Sequence, residues 1–288
     1  MNPVLSIIIP THNSESTIKR CLDSLTSQSI PREQFEIIVI DDGSKDKTVD
    51  IAKQCGADKV IVTEPCFQGK ARNIGVKNAK GELLAFIDSD CAAKDGWISS
   101  IMAELKKLEA ATGPIQNGNS HSNVAWAEYL IEFGGWDEYR QRSSVRFLPG
   151  CNQAYTKRAF EKTDGFAENP SSEDVLFGES LRKAGINPQF SPAIRIEHLC
   201  RTDKEKVLKN MKLLGKYSSR TRKSSPSIAY SSLMSSPKLV GLLFVGKLFK
   251  TFDHSIKARK LTKFILTFPL IVKALSSFCN GVRGESRQ

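Results

Sequence analysis

Four short hydrophobic runs punctuate the first third of the chain, and stretches with helical spacing separate them. The runs are Leu5-Ser6-Ile7-Ile8-Ile9, Phe35 to Ile40, Lys59 to Thr63 and Leu83 to Ile87. Between them, Ser14 to Gln28 repeats apolar residues at Ile18, Cys21, Leu22 and Leu25, Thr48 to Cys55 is stopped by Gly56, and Gly69 to Ala79 stops before Gly81. Continuous apolar strands alternating with helices imply a mostly parallel α/β sheet covered by helices on both faces. In such sheets ligands gather beyond the carboxyl ends of the strands. Polar clusters follow three of the four strands there: Thr11-His12-Asn13, Asp41-Asp42-Gly43-Ser44 and Asp88-Ser89-Asp90.

The middle of the chain is less regular. Trp97 to Leu108 and Val124 to Arg142 read as helices, the second rich in aromatics. Phe147 to Tyr155 reads as extended around Pro149-Gly150, Glu173 to Lys183 as a helix ended by Gly185, and Ala193 to Glu197 as a strand ending at His198. The seven cysteines include no Cys-x-x-Cys pair, so neither a disulfide framework nor a structural zinc site is expected, and a reducing compartment fits. The N-terminus lacks the basic stretch and cleavage site of a secretory signal.

The net charge of +11 is unevenly placed. Residues 1–200 hold 23 Lys and Arg against 27 Asp and Glu, whereas residues 201–288 hold 19 against 4, so the body is slightly acidic and the tail strongly basic. This divides the chain into a domain at 1–202, with halves 1–110 and 111–202, and a basic helical C-terminal region at 203–288. In the tail, Lys204 to Tyr217 reads as a basic helix and Ser218 to Ser236 as a serine-rich flexible link. Leu239 to Phe249 is too short to span a bilayer, and Leu261 to Phe278 is interrupted by Lys263, Pro269 and Lys273. On a helical wheel the latter gathers Leu261, Phe264, Ile265, Phe268, Ile271, Val272, Leu275 and Phe278 on one side. A basic amphipathic helix suits a membrane interface, so residues 238–280 are expected to meet a membrane surface; a core-packing or oligomerisation helix is the alternative. Nucleic acid is not an expected partner, because long aliphatic runs interrupt the basic residues.

Paired carboxylates such as Asp88 and Asp90 suit Mg²⁺ or Mn²⁺, which complete their shells with phosphates and water, although turns are also rich in Asp. Asp41-Asp42-Gly43-Ser44 suits contact with a nucleoside, or a turn with a helix cap. The glycines of Gly69-Lys70-Ala71-Arg72-Asn73-Ile74-Gly75 permit close backbone approach, and a helix start there would favour phosphate; the alternative is a basic surface helix. Ser171-Ser172-Glu173-Asp174 reads as a helix start whose serines cap and whose acids suit the dipole, or as a source of a general base.

The order of these motifs is more specific than any one. The run Ser6 to Asn13, then Asp41-Asp42-Gly43-Ser44, Ala71-Arg72-Asn73-Ile74-Gly75 and Asp88-Ser89-Asp90, followed by Pro149-Gly150-Cys151-Asn152, Gly165-Phe166, Glu173-Asp174 and Ile196-Glu197-His198, resembles the family 2 glycosyltransferases with the GT-A fold. The resemblance covers about residues 4–200 and implies an inverting enzyme that moves a sugar from a nucleotide-diphosphate donor to an acceptor hydroxyl with Mn²⁺ or Mg²⁺. It implies that Pro10 and Thr11 line the nucleotide pocket, that Asp42 contacts base or ribose, and that Arg72 and Asn73 look onto the nucleoside and phosphate. It further implies that Asp88 contacts ribose or metal-bound water, that Asp90 and His198 ligate the metal, that Asn152 floors the donor-sugar pocket, and that Asp174, with Glu173 beside it, is the catalytic base. With the basic tail, this leads to an expected lipid-linked or cell-surface glycan acceptor and a peripheral location on the cytoplasmic face of the cell membrane. A non-catalytic sugar-nucleotide-binding protein and a sugar nucleotidyltransferase are the competing classes. The latter normally carries a glycine- and lysine- or arginine-rich triphosphate loop after the first strand, and Thr11 to Ser16 is not basic.

Overall fold

The computed structural model describes residues 2–168, 172–224 and 240–286. The chain runs β1 (Leu5–Thr11), α1 (Ile18–Thr26), β2 (Phe35–Asp41), α2 (Thr48–Gln54), β3 (Lys59–Val62), α3 (Phe67–Asn78), β4 (Leu83–Ile87), β5 (Cys91–Ala93) and α4 (Trp97–Glu104). It continues through β6 (Ala110–Thr112), β7 (Ile115–Asn117), α5 (Asn123–Glu132), β8 (Ser143–Ser144), β9 (Asn152–Thr156), α6 (Lys157–Glu161), α7 (Glu173–Lys183), β10 (Gln189–Phe190) and β11 (Ile196–His198). Among the described residues three long helices close it: α8 (Lys204–Ser224), α9 (Val240–Lys257) and α10 (Leu261–Ser286).

The chain forms two compact units, residues 1–115 with 141–198 and residues 116–140 with 199–288. One boundary falls at 198/199, where the sequence reading ended the first domain at 202, and a further segment, 116–140, joins the tail unit. Residues 116–140 group with the tail because the aromatic face of α5 packs on it: Trp126, Tyr129 and Leu130 share a core with Cys200, Phe264, Ile271 and Leu275.

The first unit is built on an eight-stranded sheet in the order β3-β2-β1-β4-β9-β6-β10-β8. The first four strands are parallel, with Thr11 opposite Asp41 and Ile8 opposite Phe86. Every residue of β1 and β2 is buried, as a sheet covered on both faces requires, whereas β3 forms the partly exposed edge. Ser6 and Glu36 in the middle of these strands are satisfied together: Ser6 donates to Glu36 at 2.6 Å, and Glu36 accepts from the Lys80 backbone at 2.7 Å. α3 lies so close to β1 that a Cβ on Gly75 would stand 2.4 Å from Ile8 Cγ2.

Local differences from the sequence reading have local causes. The helix expected over Val124 to Arg142 ends at Glu132, ahead of Gly134-Gly135. The extended segment expected over Phe147 to Tyr155 is a strand only from Asn152, with the Pro149-Gly150 turn before it. The expected flexible link is helical as far as Ser224; its remainder, 225–236, lies outside the described residues, as do residues 238 and 239 of the expected membrane segment.

In the second unit, α10 is one helix through Pro269. Its stretch Leu261–Gly284 is long and apolar enough to cross a membrane by length and composition, and 44% of an 18-residue apolar window within it is buried. The apolar side expected to form one membrane face is divided. Phe264, Ile271, Leu275 and Phe278 are core, while Leu261, Ile265 and Phe268 face solvent. The buried half meets α8 at glycines, since a Cβ on Gly281 would stand 1.9 Å from Lys212 O and one on Gly215 would stand 2.0 Å from Phe278 O. Backbone contact of this kind requires glycine on both helices.

Candidate active site

Neighbouring parallel strands end together, so the loops after β1, β2 and β4 meet at one sheet edge. They line a cavity of about 170 Å³ with Pro10, Thr11, His12, Asp42, Asp88 and Asp90 among its walls, together with Gln68 and Ala71 of α3. The Asp42 backbone N–H donates to Thr11 O at 2.8 Å, and the His12 ring is 2.7 Å from Asp42 O, which ties the first two loops together. Asp42 Oδ1 accepts from the Cys66 backbone N–H, so this carboxylate also fixes the start of α3. Thr11 Oγ1 and Asp41 Oδ1 are buried without a hydrogen-bond partner among the described residues. Buried polar atoms are normally paired, so the Thr11 hydroxyl in the wall of this cavity is suited to a ligand.

Two sets of acids flank one arginine. Arg72 is fully buried on α3, and its guanidinium donates to Asp88 Oδ1 at 2.8 Å and to Glu173 Oε1 at 2.6 Å. Burial works against the Arg72 charge, but Asp88 and Glu173 outweigh it and raise its pKa above the ordinary value. Burial raises the Asp88 carboxyl, with Arg72 opposing. Asp174, next to Glu173 and partly exposed, accepts from the Val175 N–H at 2.7 Å and the Gly150 N–H at 3.3 Å. Burial, reinforced by the Glu173 charge and opposed by Arg72, pushes the Asp174 carboxyl up to about 7. Gly150 lets the turn close over this group, because a Cβ there would stand 2.8 Å from an Arg72 terminal nitrogen.

On the other side, β11 pairs antiparallel with β5 and sets His198 opposite Cys91. His198 Nε2 lies 3.6 Å from Asp90 Oδ1, and a ligand atom from each of Asp90, Cys91 and His198 falls within 4.8 Å of the others. A carboxylate oxygen and an imidazole nitrogen this close fit one divalent cation, and the imidazole suits Mn²⁺ better than Mg²⁺. Burial and the Cys151 thiol push the Cys91 thiol well up, and sulfur is in any case a poor ligand for a hard cation.

The structure thus brings Pro10, Thr11, Asp42, Asp88 and Asp90 to one cavity, and Arg72 joins Asp88 to Glu173 beside Asp174. Arg72 is held away from solvent between the two carboxylates and acts on the cavity through Asp88. Asn73 and Asn152 are committed elsewhere. Asn73 exchanges two hydrogen bonds with the Phe166 backbone, at 2.8 and 2.9 Å. Buried Asn152 accepts from Trp97 Nε1 at 3.0 Å and donates to Ile194 O at 2.9 Å. α3 already begins at Phe67, so Gly69 is internal; its missing Cβ makes room for Ala167 O, and Gly75 serves packing. Ser172 stands at the start of α7 with φ of 67° and makes no side-chain cap, so Glu173 and Asp174 are not explained by a serine cap at that position. Reading from sequence left out the Ser14–Ser89 hydroxyl pair at 2.9 Å and the grip of Arg20 and Lys94 on Glu197 at 2.5 and 2.6 Å. Neither has a local signal, because each joins elements distant in the sequence.

The sheet order and the acidic edge define a GT-A fold. The solved mannosyltransferase PcManGT from Pyrobaculum calidifontis, in complex with GDP-Man and Mn²⁺, is similar with a TM-score of 0.64 at 15% identity, over 96% of this chain and 86% of that one. The pattern described as Glycosyl transferase family 2 matches residues 6–164, and the chain belongs to that family. Glycosyltransferase AglE of Haloferax volcanii is 39% identical over 101 residues, and the match covers 33% of this chain and 33% of AglE. The dolichyl N-acetyl-alpha-D-glucosaminyl phosphate 3-beta-D-2,3-diacetamido-2,3-dideoxy-beta-D-glucuronosyltransferase of Methanococcus voltae is 39% identical over 223 residues, 71% of this chain and 70% of that protein.

Proposed function

We propose that the protein transfers a sugar from a nucleoside-diphosphate donor to an acceptor hydroxyl with inversion, assisted by Mn²⁺ or Mg²⁺. The carrying observation is the buried Asp88–Arg72–Glu173 bridge, which ties the cation-binding side of the site to Asp174. Pro10, Thr11 and Asp42 receive the nucleoside. Asp90 and His198 would hold the cation, which supplies Lewis-acid neutralisation of the charge on the departing diphosphate. Asp174, raised to about 7, is ionised above neutral pH and basic enough to take the proton of the acceptor hydroxyl as the new bond forms. A single in-line displacement then inverts the anomeric carbon and requires no covalent enzyme intermediate. Arg72 and Gly150 keep Asp174 in place.

The acceptor is carried by a lipid or a cell-surface glycan at the cytoplasmic face of a membrane. The basic tail supports this, as does a relative named for a dolichyl-linked sugar phosphate. A screen of nucleoside-diphosphate sugars, reading released nucleoside diphosphate with and without Mn²⁺ or Mg²⁺, tests the reaction. Cation-dependent release from one donor supports it, and release of pyrophosphate from a nucleoside triphosphate and a sugar phosphate contradicts it.

A further inference from the structure

The second unit carries an apolar surface that its own packing leaves uncovered. On α9, Leu242, Val245, Phe249, Phe252 and Ile256 are between 38% and 71% exposed. Their spacing alternates three and four residues, which places them on one stripe of the helix. The opposite side buries Val240 and Leu243 but also Thr251 and Ser255. Phe244 and Leu248 also pack inward on the core, so the helix is apolar on two sides, whereas an ordinary surface helix is apolar on one. The stripe continues onto the start of α10. Phe252 meets Phe264 edge-on with centroids 5.4 Å apart, Phe264 meets Phe268 at 5.7 Å, and Leu261, Ile265, Leu266 and Phe268 are exposed. A contiguous apolar surface of this kind marks an interaction site.

Charge selects the partner. Residues 240–284 contain eight Lys and Arg and one acid, Asp253. A second copy of the chain would bring like charge to like charge, whereas an anionic lipid surface is complementary. Exposed Lys250 and Lys257 share one flank of the stripe, seven residues apart. On that flank a cavity of about 450 Å³ is lined by Gly135, Asp137, Tyr139, Arg140, His254 and Lys257. The 134–140 loop packs closely on α9, where a Cβ on Gly135 would stand 2.7 Å from His254 Cε1 and would displace the ring. Arg140 donates to Gly135 O at 2.8 Å and lies over the Trp136 ring at 4.8 Å, which fixes a guanidinium in the wall.

We propose that the α9 stripe and the start of α10 dock on an anionic lipid surface, with a phosphate head group received in the cavity beside Arg140 and Lys257. This deepens, and rests on, the reading of a membrane-borne acceptor. Within the 238–280 segment expected to meet a membrane, it narrows the contact to the outward stripe of α9 and the first turns of α10.

The test is sedimentation of the full-length chain with vesicles of phosphatidylcholine alone or mixed with phosphatidylglycerol. The wild type is expected to partition at least about tenfold more strongly onto the anionic vesicles. A Val245→Ser/Phe249→Ser variant is expected to bind them at least about tenfold more weakly with an unchanged melting curve, because both side chains are exposed. Lys257→Gln is expected to weaken binding several-fold on anionic vesicles and to leave neutral ones unaffected. Wild type that stays in the supernatant with both vesicle types overturns the proposal. So does a self-associated wild type that the double variant dissociates while vesicles capture neither. Lys257→Gln with undiminished anionic preference overturns the head-group seat. Mn²⁺-supported binding of a nucleoside-diphosphate sugar without vesicles is measured in parallel; its absence counts against the transferase reading alone, so the two failures are distinguishable.

Discussion

Replacing Arg72 with methionine keeps the bulk of the side chain and removes its charge. Two buried ion pairs, at 2.8 and 2.6 Å, disappear together and leave Asp88 and Glu173 without their shared cation. Breaking a buried pair costs about 3–5 kcal/mol, because the remaining charge keeps its desolvation penalty. At roughly 2–4 °C per kcal/mol for a domain of this size, melting should fall by on the order of 10 °C at pH 7.5. The deficit should shrink toward pH 5. Burial already holds the folded Asp88 carboxyl above its unfolded value, so its protonated form is the better tolerated one, and stability is lost as pH rises through the folded pKa. Adding Glu173→Gln removes one stranded carboxylate and should recover part of the loss, a coupling that a double-mutant cycle reads directly. Thermal melts followed by circular dichroism at the two pH values decide the matter. An R72M protein melting within about 2 °C of wild type at pH 7.5 would refute the claim that Arg72 holds the two acids together.

Other expectations follow from the same geometry. If Asp174 is the base, kcat/KM should have an acid limb near its carboxyl value of about 7 and drop about tenfold between pH 8 and pH 6; Asp174→Asn should abolish that limb in a pH–rate profile. Gly150→Ala would put a Cβ 2.8 Å from an Arg72 nitrogen and should lower turnover more than donor affinity, as steady-state kinetics against donor titration can show. His198→Ala should weaken Mn²⁺ binding roughly tenfold or more, measured by Mn²⁺ titration of the protein, with a melting curve near that of wild type.

The parallel half of the sheet was legible because its strands are mostly apolar runs, broken only by polar residues such as Ser6 and Glu36, and three of them are followed by polar clusters. Acids placed directly after strands, at Asp42, Asp88 and Asp90, were readable for the same reason: position on the sheet edge follows from position in the run. Arg72, Asn73 and Asn152 were legible as members of a motif but not in their contacts. Their partners, Glu173, Phe166 and Trp97, lie far along the chain, and local spacing carries no record of such pairs. The tail misled in a physical way. The helical wheel finds an apolar side on 261–278, but it cannot separate residues buried against another helix from residues facing outward. Gly215 and Gly281 decide this by letting α8 and α10 touch along their backbones, which claims the second half of α10 for the core. The grouping of 116–140 with the tail was hidden for a similar reason, since an aromatic helix does not announce which core it joins.

The proposed transfer needs a cation-held donor and a base acting from separate sides of one bridged site. The most direct test measures donor binding in Mn²⁺ and nucleoside diphosphate release, with water standing in as acceptor, for wild type, Asp90→Asn and Asp174→Asn. Asp90→Asn should lose Mn²⁺-supported donor binding, while Asp174→Asn should bind donor as wild type does and release product at least about a hundredfold more slowly. An Asp174→Asn protein that turns over at the wild-type rate, or an Asp90→Asn protein whose Mn²⁺-dependent donor affinity is unchanged, would contradict it.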